Sequence, residues 1–125
     1  KVRQIRGSPS MRNVDGYIDD GLPIMWTIKF GQAWNQQVLE RSLQRARIQD
    51  MAAWQEVLEP IRERADTVLP DNRSIGYHMC MIIGYNETTE EVCISDSWGQ
   101  AFEERWITVE EAEEINAGRM EIIDW

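Results

Sequence analysis

Histidine occurs once in this sequence and cysteine only twice, and basic residues are scarce: 13 lysines and arginines stand against 22 acids. The formal charge of -9 argues against a nucleic-acid partner, because gripping a phosphate backbone needs a basic surface. No apolar run approaches the roughly 20 residues that a bilayer-crossing helix requires, so no membrane span is expected. No glycine-rich loop offers a phosphate cradle, and no cofactor is expected. Two cysteines permit a disulfide, but the composition does not require one. Proline is thin as well, with four residues, so few positions are forced out of regular structure.

What is present is enough for a core. Hydrophobic residues make up 42% of 125 positions and include six tryptophans, which fits one domain over residues 1–125. Charge is uneven: Lys1, Arg3, Arg6 and Arg12 lie in a leading segment without acids, whereas residues 87–125 hold most of the acids. An acidic surface is foremost a solubility feature.

Residues 1–14 read as a leading segment with one short strand. Asp15-Gly16 and Asp19-Asp20-Gly21 read as turns. LPIMWTIKF (22–30) is a buried strand, with Pro23 only at its start, and Gly31 ends it. Residues 32–66 contain no glycine, and their apolar residues recur at helical spacing. One or two helices are expected there, with Asp50 as a cap and Pro60 bending the second helix or ending it at Glu59. IGYHMCMIIGYN, NETTEE and EVCISD read as strand, loop and strand of an antiparallel hairpin. A strand follows at Trp106 and Ile107. Thr108 and Glu111 form a capping-box pattern for a helix over 109–115, which Gly118 ends. RMEIIDW closes the chain as a last strand. The expected fold class is α+β: a twisted antiparallel sheet of four to six strands, curled toward a half-barrel, with one or two packed helices.

The chemistry concentrates in YHMCMIIGYNETTEEVCISDSWGQ, residues 77–100. Alternation puts His78, Cys80, Ile82 and Gly84 on one face of the first strand and Met79, Met81, Ile83 and Tyr85 on the other. With the loop centred near 88–89, Asp96 falls opposite the stretch from Met81 to His78. His78 opens one strand and Asp96 ends its neighbour, so both sit at the same end of the sheet. A carboxylate there is close enough to orient an imidazole and fix its tautomer. Trp98 is placed to cover the pair from water, and Gly99 allows a sharp turn that passes close to other backbone. A solitary histidine near a strand end more often has a structural role, so spacing alone leaves catalysis open. A zinc site from His78, Cys80 and Cys93 lacks a fourth ligand, and Cys93 faces away. The acids of ERWITVEEAEE read as a solvated helix face.

GYHMCMIIGYN followed by ISDSWG resembles the C-terminal half of papain-like cysteine peptidases, especially the bacterial C39-like branch. The resemblance covers residues 16–110, with 32–66 as a family-variable helical insertion. It implies the papain-like cysteine proteinase fold, His78 as the catalytic histidine, Asp96 as its orienting residue and Trp98 as the shield. Gly21 to Trp26 resembles the Gly-x-Pro-(hydrophobic) segment ahead of the histidine. Arg105-Trp106-Ile107 resembles the strand after the Ser-Trp-Gly loop. The substrate class implied is a peptide or protein.

The family nucleophile, a cysteine at a helix start in the N-terminal half, has no match in this sequence. Cys80 shares a strand with His78, and Cys93 lies on the next strand, so both read as buried small hydrophobes. Ser8 and Ser10 sit in RGSPS, which has no helical pattern. The sequence opens with Lys rather than Met, and the expectation is an incomplete domain whose missing N-terminal half carries the cysteine. This chain alone is then inactive, with an apolar, exposed face around His78. The alternative is a non-catalytic peptide-binding or structural domain with the same fold.

Overall fold

The computed structural model of the chain describes residues 2–69, 75–96 and 99–123. Among them six strands form one antiparallel sheet: β1 (Val2–Ile5), β2 (Ile24–Phe30), β3 (Gly76–Asn86), β4 (Glu91–Ser95), β5 (Arg105–Thr108) and β6 (Asn116–Ile123). Their spatial order is β1-β6-β2-β3-β4-β5, so the sheet does not close into a barrel. The helices are α1 (Met11–Asp19), α2 (Gln32–Arg45), α3 (Met51–Glu63) and α4 (Val109–Ile115). The expected one or two packed helices are therefore four among the described residues. Two of these fall in residues 32–66 and one follows the Thr108 capping box. The fourth, α1, stands where the sequence reads as a leading segment and turns.

Helix α1 occupies a stretch whose Asp15-Gly16 reads locally as a turn. Val14 is fully buried, and Met11, Tyr17 and Ile18 pack beside it on the same core. That apolar stripe outweighs the cost of one helical glycine, about 1 kcal/mol relative to alanine. Asn13 secures the start: its Oδ1 accepts from Ser10 N at 2.8 Å, and its amide donates to the Ser8 carbonyl at 2.7 Å. Gly21, at φ +77°, turns the chain into β2.

Strand β2 is central and alternates without fault. Ile24, Trp26, Ile28 and Phe30 face the core, with Met25, Thr27 and Lys29 on the other side. It pairs with β3 on one side and β6 on the other. The expected end of α4 at Gly118 is corrected. The helix stops at Ile115, and Gly118 lies inside β6 at φ +90°, in a bulge that shifts the register between Thr27 and Ile28. Asn116 holds this bulge, because its Oδ1 accepts from both Trp26 Nε1 and Gly118 N at 3.0 Å.

Helix α2 buries Trp34 and Val38 in the core shared by all the strands except β1, whose Ile5 packs against it partly buried. Helix α3 lies over the β3–β4 hairpin. Trp54 Nε1 donates to Glu91 Oε1 at 3.1 Å, Gln55 donates to the Thr88 carbonyl at 2.6 Å, and Arg62 donates to the Thr89 carbonyl. Asp50 caps α3 by accepting from Ala52 N. Pro60 does not end this helix at Glu59. The chain stays helical to Glu63, held by Arg62 on Thr89 and by Arg64 Nε donating to the Pro60 carbonyl. Glu111 is also corrected: it is buried rather than solvated, with Arg41, Trp34 and Thr108 as partners.

Candidate functional site

Strand β3 carries the histidine. Its alternation is visible in exposure: Tyr77, Met79, Met81 and Ile83 are 72%, 54%, 42% and 42% exposed, while Cys80 and Ile82 are buried. His78 belongs to the inner set and is partly buried. The exposed apolar side chains beside it in sequence therefore point away from it, to the open face of the sheet. The expected apolar, exposed face around His78 is not what the strand builds.

Pairing of Met81 with Ser95 carries β4 toward the His78 end of β3, and Asp96 is the next residue after the strand. A bulge at Ile83 precedes this, since Ile82 pairs with Ile94 but Gly84 pairs with Cys93. The backbone of Asp96 is fixed by its N–H, which donates to the Phe102 carbonyl at 2.9 Å and closes the loop. Gly99 within that loop has φ +114° and ψ 177°, a conformation essentially reserved for glycine. Nothing lies within 4 Å of where its Cβ would be, so the need is conformational and not a close approach. Trp98, the expected shield, lies outside the described residues.

The result is a contact of 3.5 Å between His78 Nε2 and Asp96 Oδ2. The histidine side chain is 14% exposed and the carboxylate is fully buried. Phe30 stands edge-on to the imidazole, with ring centroids 6.4 Å apart. A second cation shares the carboxylate. Arg105 Nη2 donates to Asp96 Oδ2 at 2.5 Å and to Oδ1 at 3.2 Å, and its Nη1 donates to Asn35 Oδ1 at 2.5 Å. Arg105 is itself fully buried, and its guanidinium carbon lies 5.0 Å from the Phe102 ring centre. Burial lowers the His78 pKa below its ordinary 6.5; Asp96 pulls it upward and Arg105 pushes it down again, and the net direction is down.

In the sequence Arg105 stands out only as part of the strand that follows the Ser-Trp-Gly loop. An arginine between two acids and a tryptophan gives no sign of burial; what could have raised the question is its strand parity with Ile107. Asn35, one turn into α2, gave no signal at all.

The cysteines are not brought into this arrangement as nucleophiles. Both are free and 2% exposed. Burial, followed by the Asp96 charge, pushes the Cys80 thiol strongly upward, and burial pushes Cys93 up to about 12. No cluster of three or more potential metal-ligating His, Cys, Asp or Glu side chains occurs among the described residues. A cavity of about 630 Å³ opens between α2, α3 and α4, lined by Trp34, Arg41, Ile61, Arg64 and Glu111 among others. Neither His78 nor Asp96 is among its described lining residues.

A buried carboxylate therefore meets a part-exposed imidazole at one end of the sheet. A family model described as the Peptidase_C39 like family matches residues 1–119. No curated protein and no solved structure matches the chain.

Proposed function

The chain belongs to the Peptidase_C39 like family, and on that premise we propose that it supplies the base side of a papain-like cysteine peptidase site. The observation that carries this reading is the contact between His78 Nε2 and Asp96 Oδ2. Asp96 orients the imidazole through Nε2 and leaves Nδ1 to receive a proton. The nucleophile is a cysteine thiol supplied from outside residues 1–125, and backbone N–H groups beside it hold the oxyanion. The thiol proton passes to His78 as sulfur attacks the peptide carbonyl. The C–N bond then breaks, the imidazolium gives its proton to the leaving amine, and a thioester acyl-enzyme remains. Water, losing a proton to the same imidazole, hydrolyses the thioester and regenerates the thiol. Peptides or proteins are the substrate class.

The second reading is a peptide-binding domain of the same fold without turnover. It is favoured by one observation: both cysteines of the chain are buried and their thiols are held protonated. One comparison separates the two. The 125-residue chain and the product of the whole gene are assayed on a peptide library and with a thiol-directed covalent inhibitor. The peptidase reading expects no hydrolysis by the chain alone. It expects hydrolysis by the whole product, lost on His78→Ala and on replacement of the upstream cysteine by alanine. Equal, His78-dependent hydrolysis by the short chain would defeat the external nucleophile. An inactive whole product with no upstream cysteine would favour the binding domain.

A further inference from the structure

We propose that Arg105, held in turn by Asn35 of α2, is a positioning residue for the His78–Asp96 pair. It fixes the carboxylate in one orientation and takes up much of its charge. The proposal rests on the peptidase reading, because positioning matters only if His78 transfers protons. The geometry is specific. Both oxygens of Asp96 are bonded to the same guanidinium nitrogen, so rotation of the carboxylate breaks a charge-assisted bond. Oδ2 is the oxygen shared with His78 Nε2. Asn35 Oδ1 holds the second nitrogen of the guanidinium, which fixes the fork from the far side. All of this is buried, where low dielectric strengthens each contact and water does not compete.

The consequence is electrostatic as well as geometric. An aspartate alone beside a histidine draws a proton onto the imidazole. Burial outweighs that pull, and Arg105 acts in the same direction as burial. The charged groups that act on the imidazole are Asp96, from the end of β4, and Arg105, from β5; Cys80, two residues along β3, stays a neutral thiol. His78 accordingly rests neutral and takes a proton as the thiol attacks, rather than waiting as a preformed imidazolium. Helix α2, which resembles an insertion by sequence, reaches the catalytic carboxylate through Asn35 and Arg105.

The single histidine makes the test direct, since every imidazole signal belongs to His78. Nitrogen-15 and carbon-13 NMR of the chain report its tautomer and its titration. In the native chain the Nε2–H tautomer should dominate, with the titration midpoint below 6.5. Arg105→Gln should raise the midpoint by about one unit, a tenfold gain in proton affinity. Asn35→Asp, which adds an opposing charge to the guanidinium, should move it in the same direction by less. Because Arg105→Gln strands a buried carboxylate, the Arg105→Gln/Asp96→Asn double variant serves as a folded companion. It should bring the midpoint back below 6.5 and lose the tautomer preference. Unchanged midpoint and tautomer in Asn35→Asp and in whichever arginine variant folds would overturn the proposal. The whole product then separates the two readings. Arg105→Lys should lower kcat with little change in KM. Wild-type kcat in Arg105→Lys would overturn positioning while leaving the peptidase reading intact. The expected NMR shifts in a whole product that never hydrolyses peptides would show that Arg105 holds the pair, but would overturn the peptidase reading and with it the positioning role.

Discussion

At His78 the protein sets two opposite charges around one imidazole, and burial decides the sign. The folded pKa lies below the ordinary 6.5, so in acid the unfolded chain binds a proton that the folded chain resists. This contribution to stability is fully present above pH 6.5 and is lost as pH falls through the folded value. Urea midpoints measured from pH 7.5 down to pH 5 should therefore decline, and His78→Gln should flatten that part of the decline. A midpoint that rises on acidification through this window would contradict the burial of a neutral imidazole. The cysteines belong to the same scale. With Cys93 held near 12 and Cys80 pushed further up, neither offers thiolate at neutral pH. A thiol reagent should leave the native protein unlabelled for hours and modify both residues once urea unfolds it. Rapid native labelling of Cys80 that disappears in His78→Ala would revive a local nucleophile. Gly99 is a third case. Its φ of +114° admits no side chain without strain, so Gly99→Ala should cost about 1–3 kcal/mol although nothing crowds the site.

Among the elements, β3 states the logic of the sheet most plainly, because its two faces meet different solvents. Ile82 is fully buried and pairs with Ile94, whereas its neighbour Met81 is 42% exposed on the open face. Ile82→Ala should cost about 3 kcal/mol through lost burial and a residual cavity. Met81→Thr should stay within about 0.5 kcal/mol, as substitutions on an exposed face do. Equal costs in chemical denaturation would mean that the open face is covered in solution. The helices show a different balance. Helix α3 runs through Pro60 to Glu63, with Arg62 anchoring its last turn to the hairpin at the Thr89 carbonyl and Arg64 Nε donating to the Pro60 carbonyl. Its start depends on Asp50, and Asp50→Ala should cost about 1 kcal/mol.

For the molecule as a whole, the question is whether residues 32–63 are an appended pair of helices or part of the fold. Trp34 and Val38 belong to the central core. Arg41 pairs with Glu111 at 2.5 Å, Arg45 with Glu91 at 3.0 Å, and Trp106 N donates to Ser42 Oγ at 3.0 Å. These contacts tie α2 to β4, β5 and α4 at once. Unfolding should therefore be a single transition, with tryptophan fluorescence and far-ultraviolet circular dichroism superimposing in urea. Separated transitions, helix loss first, would make the helices an appendage.

The sequence by itself determined the elements whose pattern is local. An apolar run ended by Gly31 marked β2, period-two alternation marked the faces of β3, the polar run NETTEE marked the hairpin, and the Thr108–Glu111 pair marked the start of α4. It also placed His78 and Asp96 at one sheet end, because hairpin register follows from loop position. Tertiary structure decided what depends on burial against distant residues. Asp15-Gly16 became helical because Val14 found a core, and Pro60 was tolerated because Arg62 found the hairpin. Gly118 entered a strand because Trp26 and Asn116 hold its bulge. Above all, tertiary structure chose the second partner of Asp96. Asn35 and Arg105 are 70 residues apart in sequence and 2.5 Å apart in space. No periodicity encodes such a contact, because Asn35 meets Arg105 only where the fold has buried the Arg105–Asp96 ion pair away from water.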